Sequence, residues 1–228
     1  MRRPVGEFAD RRDAGRRLAD ALTTIALERP LVLALPRGGV PVGFEVAEAL
    51  DADLELLIVR KLGATGFEEF GLGAVVDGAE PQVVLNEGAL AKVSPPAGYV
   101  DGEIRRQLRE IERRRAVYRC DRAPISAAGR TVIVVDDGVA TGGTARAALK
   151  GVRRTGPKRL VLAVPVGPKD VCGLLAADAD EAVVLGAPPN FRAVGLHYRD
   201  FAQTTDEEVI RLVGLARQRG RRSIAATS

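Results

Sequence analysis

The sequence predicts an α/β fold with an open, mainly parallel central sheet and flanking helices. Three observations point to it. Short apolar runs that stop at glycine, proline or acidic residues alternate with segments of helical apolar spacing. The order strand–loop–helix–strand near the N-terminus calls for a right-handed crossover and hence parallel pairing. A chain of 228 residues, 46% hydrophobic and 28% charged, suits one medium-sized domain or one domain with an insertion.

Taken in order, residues 11–28 place Ala14, Leu18, Ala21, Leu22 and Ile25 at helical spacing and predict a first amphipathic helix. "LVLALPRGG" gives a short apolar strand, Leu31 to Leu35, halted by Pro36 and two glycines. "VPVGFEVAEAL" returns to helix, and "LELLIVRKLG" reads as another buried strand ending in charge. Further strands are predicted at Gly73–Asp77, Gln82–Asn86, Thr131–Asp136, Arg159–Pro165 and Glu181–Leu185, with helices near 143–154, 168–177 and 206–217. "DGEIRRQLREIERRRAVYRCDR" departs from this rhythm. It lines Ile104, Leu108, Ile111 and Tyr118 on one stripe, with eight arginines between Arg105 and Arg122 mostly elsewhere. An amphipathic helix over 101–119 with a solvated basic face is expected; the scarcity of aromatic side chains for base stacking makes nucleic acid a poor partner for it. The basic tail "RQRGRRSIAATS" reads as frayed.

Composition removes several classes of function. No apolar run approaches the ~20 residues of a membrane span. The Arg-rich N-terminus is interrupted by Glu7, Asp10, Asp13 and Asp20, lacks the apolar core of a signal peptide and reads as part of the mature domain. Cys120 and Cys172 are scattered thiols without metal spacing, and His197 is the only histidine, which disfavours zinc and Ser-His-Asp chemistry. A cytoplasmic location is the default expectation. The net charge of +4 suits an anionic small molecule and nucleic acid equally.

"VIVVDDGVATGGTARAAL", Val132 to Leu149, carries the chemistry. A strand ending in Asp136-Asp137 puts two carboxylates at the carboxyl edge of a parallel sheet, where ligands sit in open α/β folds. Gly138 to Thr144 then leads into a helix starting near Ala145. Such a turn offers backbone N–H groups and the positive end of the helix dipole to a phosphate, and Thr141 and Thr144 add hydroxyl donors. The carboxylates upstream suit sugar hydroxyls or a hydrated divalent cation. A phosphate and a diol on one small ligand describe a ribose 5-phosphate. Competing phosphate motifs are absent: no GxxxxGK[ST] occurs, and "GLGAVV" lacks the third glycine of a dinucleotide fingerprint.

"VVDDGVATGGTA" resembles the phosphoribosyl pyrophosphate (PRPP) signature of type I phosphoribosyltransferases. "ALPRGGVPVG" is similar to that family's pyrophosphate loop, "VRKLG" to the basic strand end before its mobile loop, and "FRAVGLHYRDF" (191–201) to the hood over the acceptor base, so the likeness runs from Leu31 to Phe201. It is greatest to bacterial family members whose acceptor is generally unassigned. The resemblance implies a single domain over 1–228, with a mobile loop near 63–71, an inserted helix near 101–119 and a hood near 187–203. It implies that Asp136 and Asp137 hold the ribose hydroxyls, with Mg²⁺ reaching them mainly through PRPP and water. The backbone from Ala140 through Thr141, Gly142 and Gly143 to Thr144 would hold the 5-phosphate. Arg37 and the amides of Gly38 and Gly39 would bind pyrophosphate beside a non-proline cis peptide, and Arg60 and Lys61 would face it as it departs. Arg37 and Lys61 join the two aspartates as the catalytic set.

The acceptor is read less directly. In 6-oxopurine transferases the position of Ala140 holds a general-base aspartate, so its absence here speaks against hypoxanthine and guanine; "ATGGT" and "RK" look more like adenine transferases. Phe191, Val194 and Tyr198 are the candidates for packing a flat base, and Glu68 or Glu69 for touching base or ribose. The expected function is Mg²⁺-dependent transfer of 5-phosphoribosyl from PRPP to a purine or related heterocycle, in a possible homodimer. The alternatives are a PRPP- or nucleotide-sensing regulator without turnover, and a related ribose-phosphate hydrolase or phosphorylase.

Overall fold

The computed structural model describes residues 7–226 apart from 26, 27, 29, 65, 66, 79 and 120–123. Helix α1 (Arg11–Leu22) starts at Asp10, whose carboxylate accepts the Asp13 amide. Strand β1 (Leu31–Ala34), helix α2 (Gly39–Ala49) and strand β2 (Asp53–Leu56) form the first crossover unit. A side sheet follows from β3 (Val59–Ala64), β4 (Phe67–Val76) and β5 (Gln82–Leu85). Helices α3 (Glu87–Val93) and α4 (Tyr99–Arg119) lead to β6 (Thr131–Val135), α5 (Gly143–Arg153), β7 (Arg159–Val166), α6 (Lys169–Ala176), β8 (Glu181–Gly186) and α7 (Asp206–Ala226).

The main sheet has the order β2-β1-β6-β7-β8 and every pairing in it is parallel. Its strands read as continuous apolar runs because both faces are covered. Val32, Ala34, Ile133 and Val135 pack with Leu18 and Leu22 of α1, Val46 of α2 and Leu212 of α7. Leu31, Leu33, Val132 and Val134 pack with Ala148 and Leu149 of α5 and Leu175 of α6. Alternate residues of each strand thus serve opposite cores.

Three expectations change. "LELLIVRKLG" is two strands in two sheets: β2 pairs with β1, whereas β3 pairs antiparallel with β4. Leu57 and Ile58 at the junction are buried, so the apolar run continues across the break and hides it. The segment expected as a loop over 63–71 is largely the end of that hairpin, with β3 reaching Ala64 and β4 beginning at Phe67; residues 65 and 66 and the side chains of Glu68 and Glu69 lie outside what is described. The tail expected to fray continues α7 to Ala226. Two arginines fix it. Arg217 pairs with the buried Glu55 at 3.2 Å, and Arg219 donates to the carbonyls of Ala47 (2.7 Å), Glu48 (2.9 Å) and Ala52 (2.9 Å), satisfying the open C-terminal end of α2. Cys172 is buried and unbridged, and Cys120 lies outside the described residues. Among the described residues no helix is long and apolar enough to cross a membrane.

Candidate active site

Strand order reverses between β1 and β6. From β1 the chain turns outward through α2 to β2, and from β6 it turns the other way through α5 to β7. Loops leaving two neighbouring parallel strands in opposite directions open a crevice at their carboxyl ends. Ala34 is in register with Val135, so the loop through Arg37 and the loop through Asp136 start side by side. The Leu35 amide donates to the Val135 carbonyl at 2.9 Å and holds them together.

The two glycines of the first loop are dictated by this contact. A Cβ on Gly38 would stand 2.1 Å from Asp137 Oδ2, and one on Gly39 would stand 2.8 Å from the Val135 carbonyl oxygen and 2.9 Å from Asp136 Cα. The Pro36–Arg37 peptide is cis, where the family resemblance implies one. Gly38 is the N-cap of α2 and Gly142 that of α5, and neither helix start has a side-chain cap or an acidic first turn. Gly142 takes the left-handed conformation, φ +72°, that lets the chain turn into α5. First-turn N–H groups have no intrahelical partners, so the start of α5, flanked by Thr141 and Thr144, remains open to an anion.

Beside it lie the two acids. Asp136 Oδ1 accepts the Asp137 amide at 2.9 Å. Burial first, and the neighbouring Asp137 charge second, push the Asp136 carboxyl well above the ordinary carboxylate range. Burial raises Asp137 too, but Arg11 opposes it, with Nε 2.7 Å from Asp137 Oδ2. Both carboxyls of the pair are thus raised above the ordinary carboxylate range, Asp136 the more strongly, while Arg11 favours the ionised form of Asp137. Arg11 also donates to the Ala202 carbonyl at 2.7 Å and lies 3.8 Å from the Phe201 ring centroid. No local pattern pointed to Arg11. It lies 126 residues from its partner and looks like any helix-start cation.

The expected cations are dispersed. Arg37 is partly exposed, with Nη1 3.6 Å from Asp206 Oδ1, and the same carboxylate accepts the Tyr118 hydroxyl at 2.7 Å. Lys61 lines a groove of about 600 Å³ with Thr141, Gly142, Gly143, Arg146 and Lys150. Arg60, its neighbour in β3, turns to the other face and donates to Gln107 of α4 at 2.9 Å. The two are thus divided between two sites.

In the hood, Val194 lies against Gly138, where a Cβ would come within 2.6 Å of Val194 Cγ1. Phe191 is partly exposed and stacks on His197 with ring centroids 5.4 Å apart. Tyr198 is buried between Phe8 and Phe201, centroids at 5.2 and 5.0 Å, and donates its hydroxyl to the Asp137 carbonyl. Burial, then the Asp137 charge, hold that phenol protonated. No group of three or more acidic, histidine or cysteine side chains fit to hold a metal occurs among the described residues. Two carboxylates alone suit a hydrated Mg²⁺ that takes its other ligands from water and a bound phosphate.

Known proteins resemble this chain over most of its length. The profile of the phosphoribosyl transferase domain matches residues 9–185. A protein of Mycobacterium tuberculosis (strain H37Rv), provisionally named a phosphoribosyl transferase, is 46% identical over 203 residues, covering 89% of this chain and 45% of its own length. The chain thus spans about half the length of the curated relatives it matches. The crystal structure of TT1426 from Thermus thermophilus is 45% identical, with a TM-score of 0.81, over 91% of this chain and 97% of that one.

Proposed function

Because the chain belongs to the phosphoribosyl transferase domain family, we propose that it transfers a 5-phosphoribosyl group from PRPP to a nitrogenous base and releases pyrophosphate. The observation that carries this reading is the contact of Gly38-Gly39 with Asp136-Asp137 at neighbouring strand ends, the second of which leads into the uncapped start of α5. In it the amides from Ala140 to Thr144, with the Thr141 and Thr144 hydroxyls, hold the 5-phosphate. Asp136 and Asp137 accept the ribose hydroxyls and stabilise the cationic sugar as the anomeric bond breaks. Arg37 with the Gly38 and Gly39 amides, and Lys61 from the other side, take up the charge of the leaving pyrophosphate. Asp136 and Asp137 would hold a hydrated Mg²⁺, which would supply further positive charge against the phosphates when bound. Arg11 favours the ionised form of Asp137 and holds it in place.

The acceptor is a purine or related heterocycle lying between Phe191 and Val194 of the hood and the sugar, with Tyr198 supporting the loop from beneath. Ala140 offers no carboxylate to a 6-oxopurine, which favours adenine-like rings. The test is incubation with PRPP, Mg²⁺ and a panel of free bases while pyrophosphate is measured. Release with adenine or a related base, and little with hypoxanthine, is expected. Tight PRPP binding with no release for any base would replace transfer by a sensing role.

A further inference from the structure

The Arg-rich helix takes no part in the chemistry above, yet α4 encloses a second basic site. We propose that the cleft between β3 and α4 binds a pyrophosphate group, either free or at the end of a nucleotide, separately from the crevice at Asp136 and Asp137. The cleft has a volume of about 310 Å³ and is lined by Arg60, Arg106, Gln107, Arg109, Glu110 and Arg113. Four guanidinium groups therefore face one carboxylate, and that carboxylate is already engaged: Glu110 accepts from Arg113 (2.8 and 3.0 Å) and Arg114 (2.8 Å). Glu103, behind the cleft, is held by Arg106 (2.8 and 2.7 Å) and by the buried Gln107 (2.7 Å). Gln107 in turn gives Arg60 a neutral acceptor at 2.9 Å. Among the described residues no carboxylate lies within ion-pair distance of Arg60 or Arg109.

The result is an excess of positive charge at this cleft, where Arg60 and Arg109 add to guanidinium groups already paired with Glu103 and Glu110. Burial, and then the charge of Arg114, hold the Arg60 guanidinium below its ordinary range, with Glu110 and Glu103 opposing the shift. Planar forked donors around a small cavity match the paired oxygens of a diphosphate. The volume is at the lower end for small-molecule pockets and fits a compact ligand. A nucleic-acid strand fits less well, because aromatic side chains for base stacking are scarce along α4. Arg115 of the same helix turns away from this cleft and is bound to Asp77 and to the Gly78 carbonyl. Occupancy here bears on β3, whose next residue, Lys61, faces the phosphate groove.

Calorimetric titration of the full chain with sodium pyrophosphate tests the proposal. Wild type is expected to take two pyrophosphates, and one when PRPP already saturates the crevice. The charge reversal Arg109→Glu with Arg113→Glu, on the exposed helix surface, is expected to weaken the second site at least tenfold while PRPP affinity stays within twofold; Arg109→Lys with Arg113→Lys should retain most of it. Adenosine diphosphate in a parallel arm separates the two sources: displacement of pyrophosphate from this site points to a nucleotide, and failure to displace it points to the free ion. An unchanged pyrophosphate titration after charge reversal overturns the proposal, as does tighter occupation of this face by a single-stranded oligonucleotide. Failure of PRPP to bind would sink the transferase reading alone, since the charge reversal would still remove one pyrophosphate.

Discussion

Asp136 and Asp137 are held together at a free-energy cost that the ligand would relieve. Burial raises the Asp136 carboxyl above its unfolded range, so the folded chain binds that proton more tightly than the unfolded chain does. The linkage sign follows: this contribution is most favourable at acidic pH and is lost as pH rises from the ordinary carboxylate range through the raised value. Asp136→Asn should therefore stabilise the fold, and by more at pH 8 than at pH 5, read as the difference in Tm between the two pH values. The same substitution should lower transfer at least ~100-fold, because a neutral amide cannot oppose a cationic sugar. Asp136→Asn with Asp137→Asn should abolish transfer in a folded protein, as judged by circular dichroism and pyrophosphate release. Gly38→Ala drives a methyl into an aspartate that Arg11 holds fast, and at least a ~10-fold loss of PRPP affinity by calorimetry is expected. Arg11→Ala leaves Asp137 nearly buried without its counter-charge and should cost about 2–4 kcal/mol in denaturant unfolding.

Among the elements, α7 and β3 have roles that their local sequences conceal. The C-terminal carbonyls of α2 are satisfied from outside by Arg219 of α7, which explains why a basic, apolar-poor tail remains helical. Arg219→Ala should lower the urea midpoint by the equivalent of about 1–3 kcal/mol without changing the m-value, since carbonyls lose partners while the buried surface stays the same. Strand β3 sends Lys61 and Arg60 to opposite faces, so their alanine variants should separate. Lys61→Ala should reduce kcat/KM for PRPP by at least ~10-fold, the scale of one lost charged contact to a leaving group.

Across the whole molecule, segments far apart in the chain close the site. The Phe8 amide donates to the His197 carbonyl at 2.8 Å and the Arg199 amide to the Phe8 carbonyl at 2.9 Å, which ties the start of the described chain to the hood. Arg11 ties both to the acid pair. A ligand bridging these parts should stabilise all of them together. PRPP with Mg²⁺ at a hundred times its Kd should add about 2.7 kcal/mol, roughly 5–10 °C in Tm, and the double aspartate variant should show no such rise in a thermal-shift measurement.

The sequence alone determined the parallel sheet, the strand end at Asp136-Asp137 and the glycine turn into α5. Each is a local pattern: an apolar run, a breaker, then a change of period from two to 3.6. It also located "LPRGG", although it did not supply the reason for both glycines. Long-range packing sets Gly38 and Gly39 against the aspartates, pairs Arg11 with one of them, parts Arg60 from Lys61 and brings the tail to the end of α2. These are contacts between residues up to 172 positions apart, set by strand order and sheet pairing. The apolar period records which face of an element is buried, but not what that face or its charged edge meets.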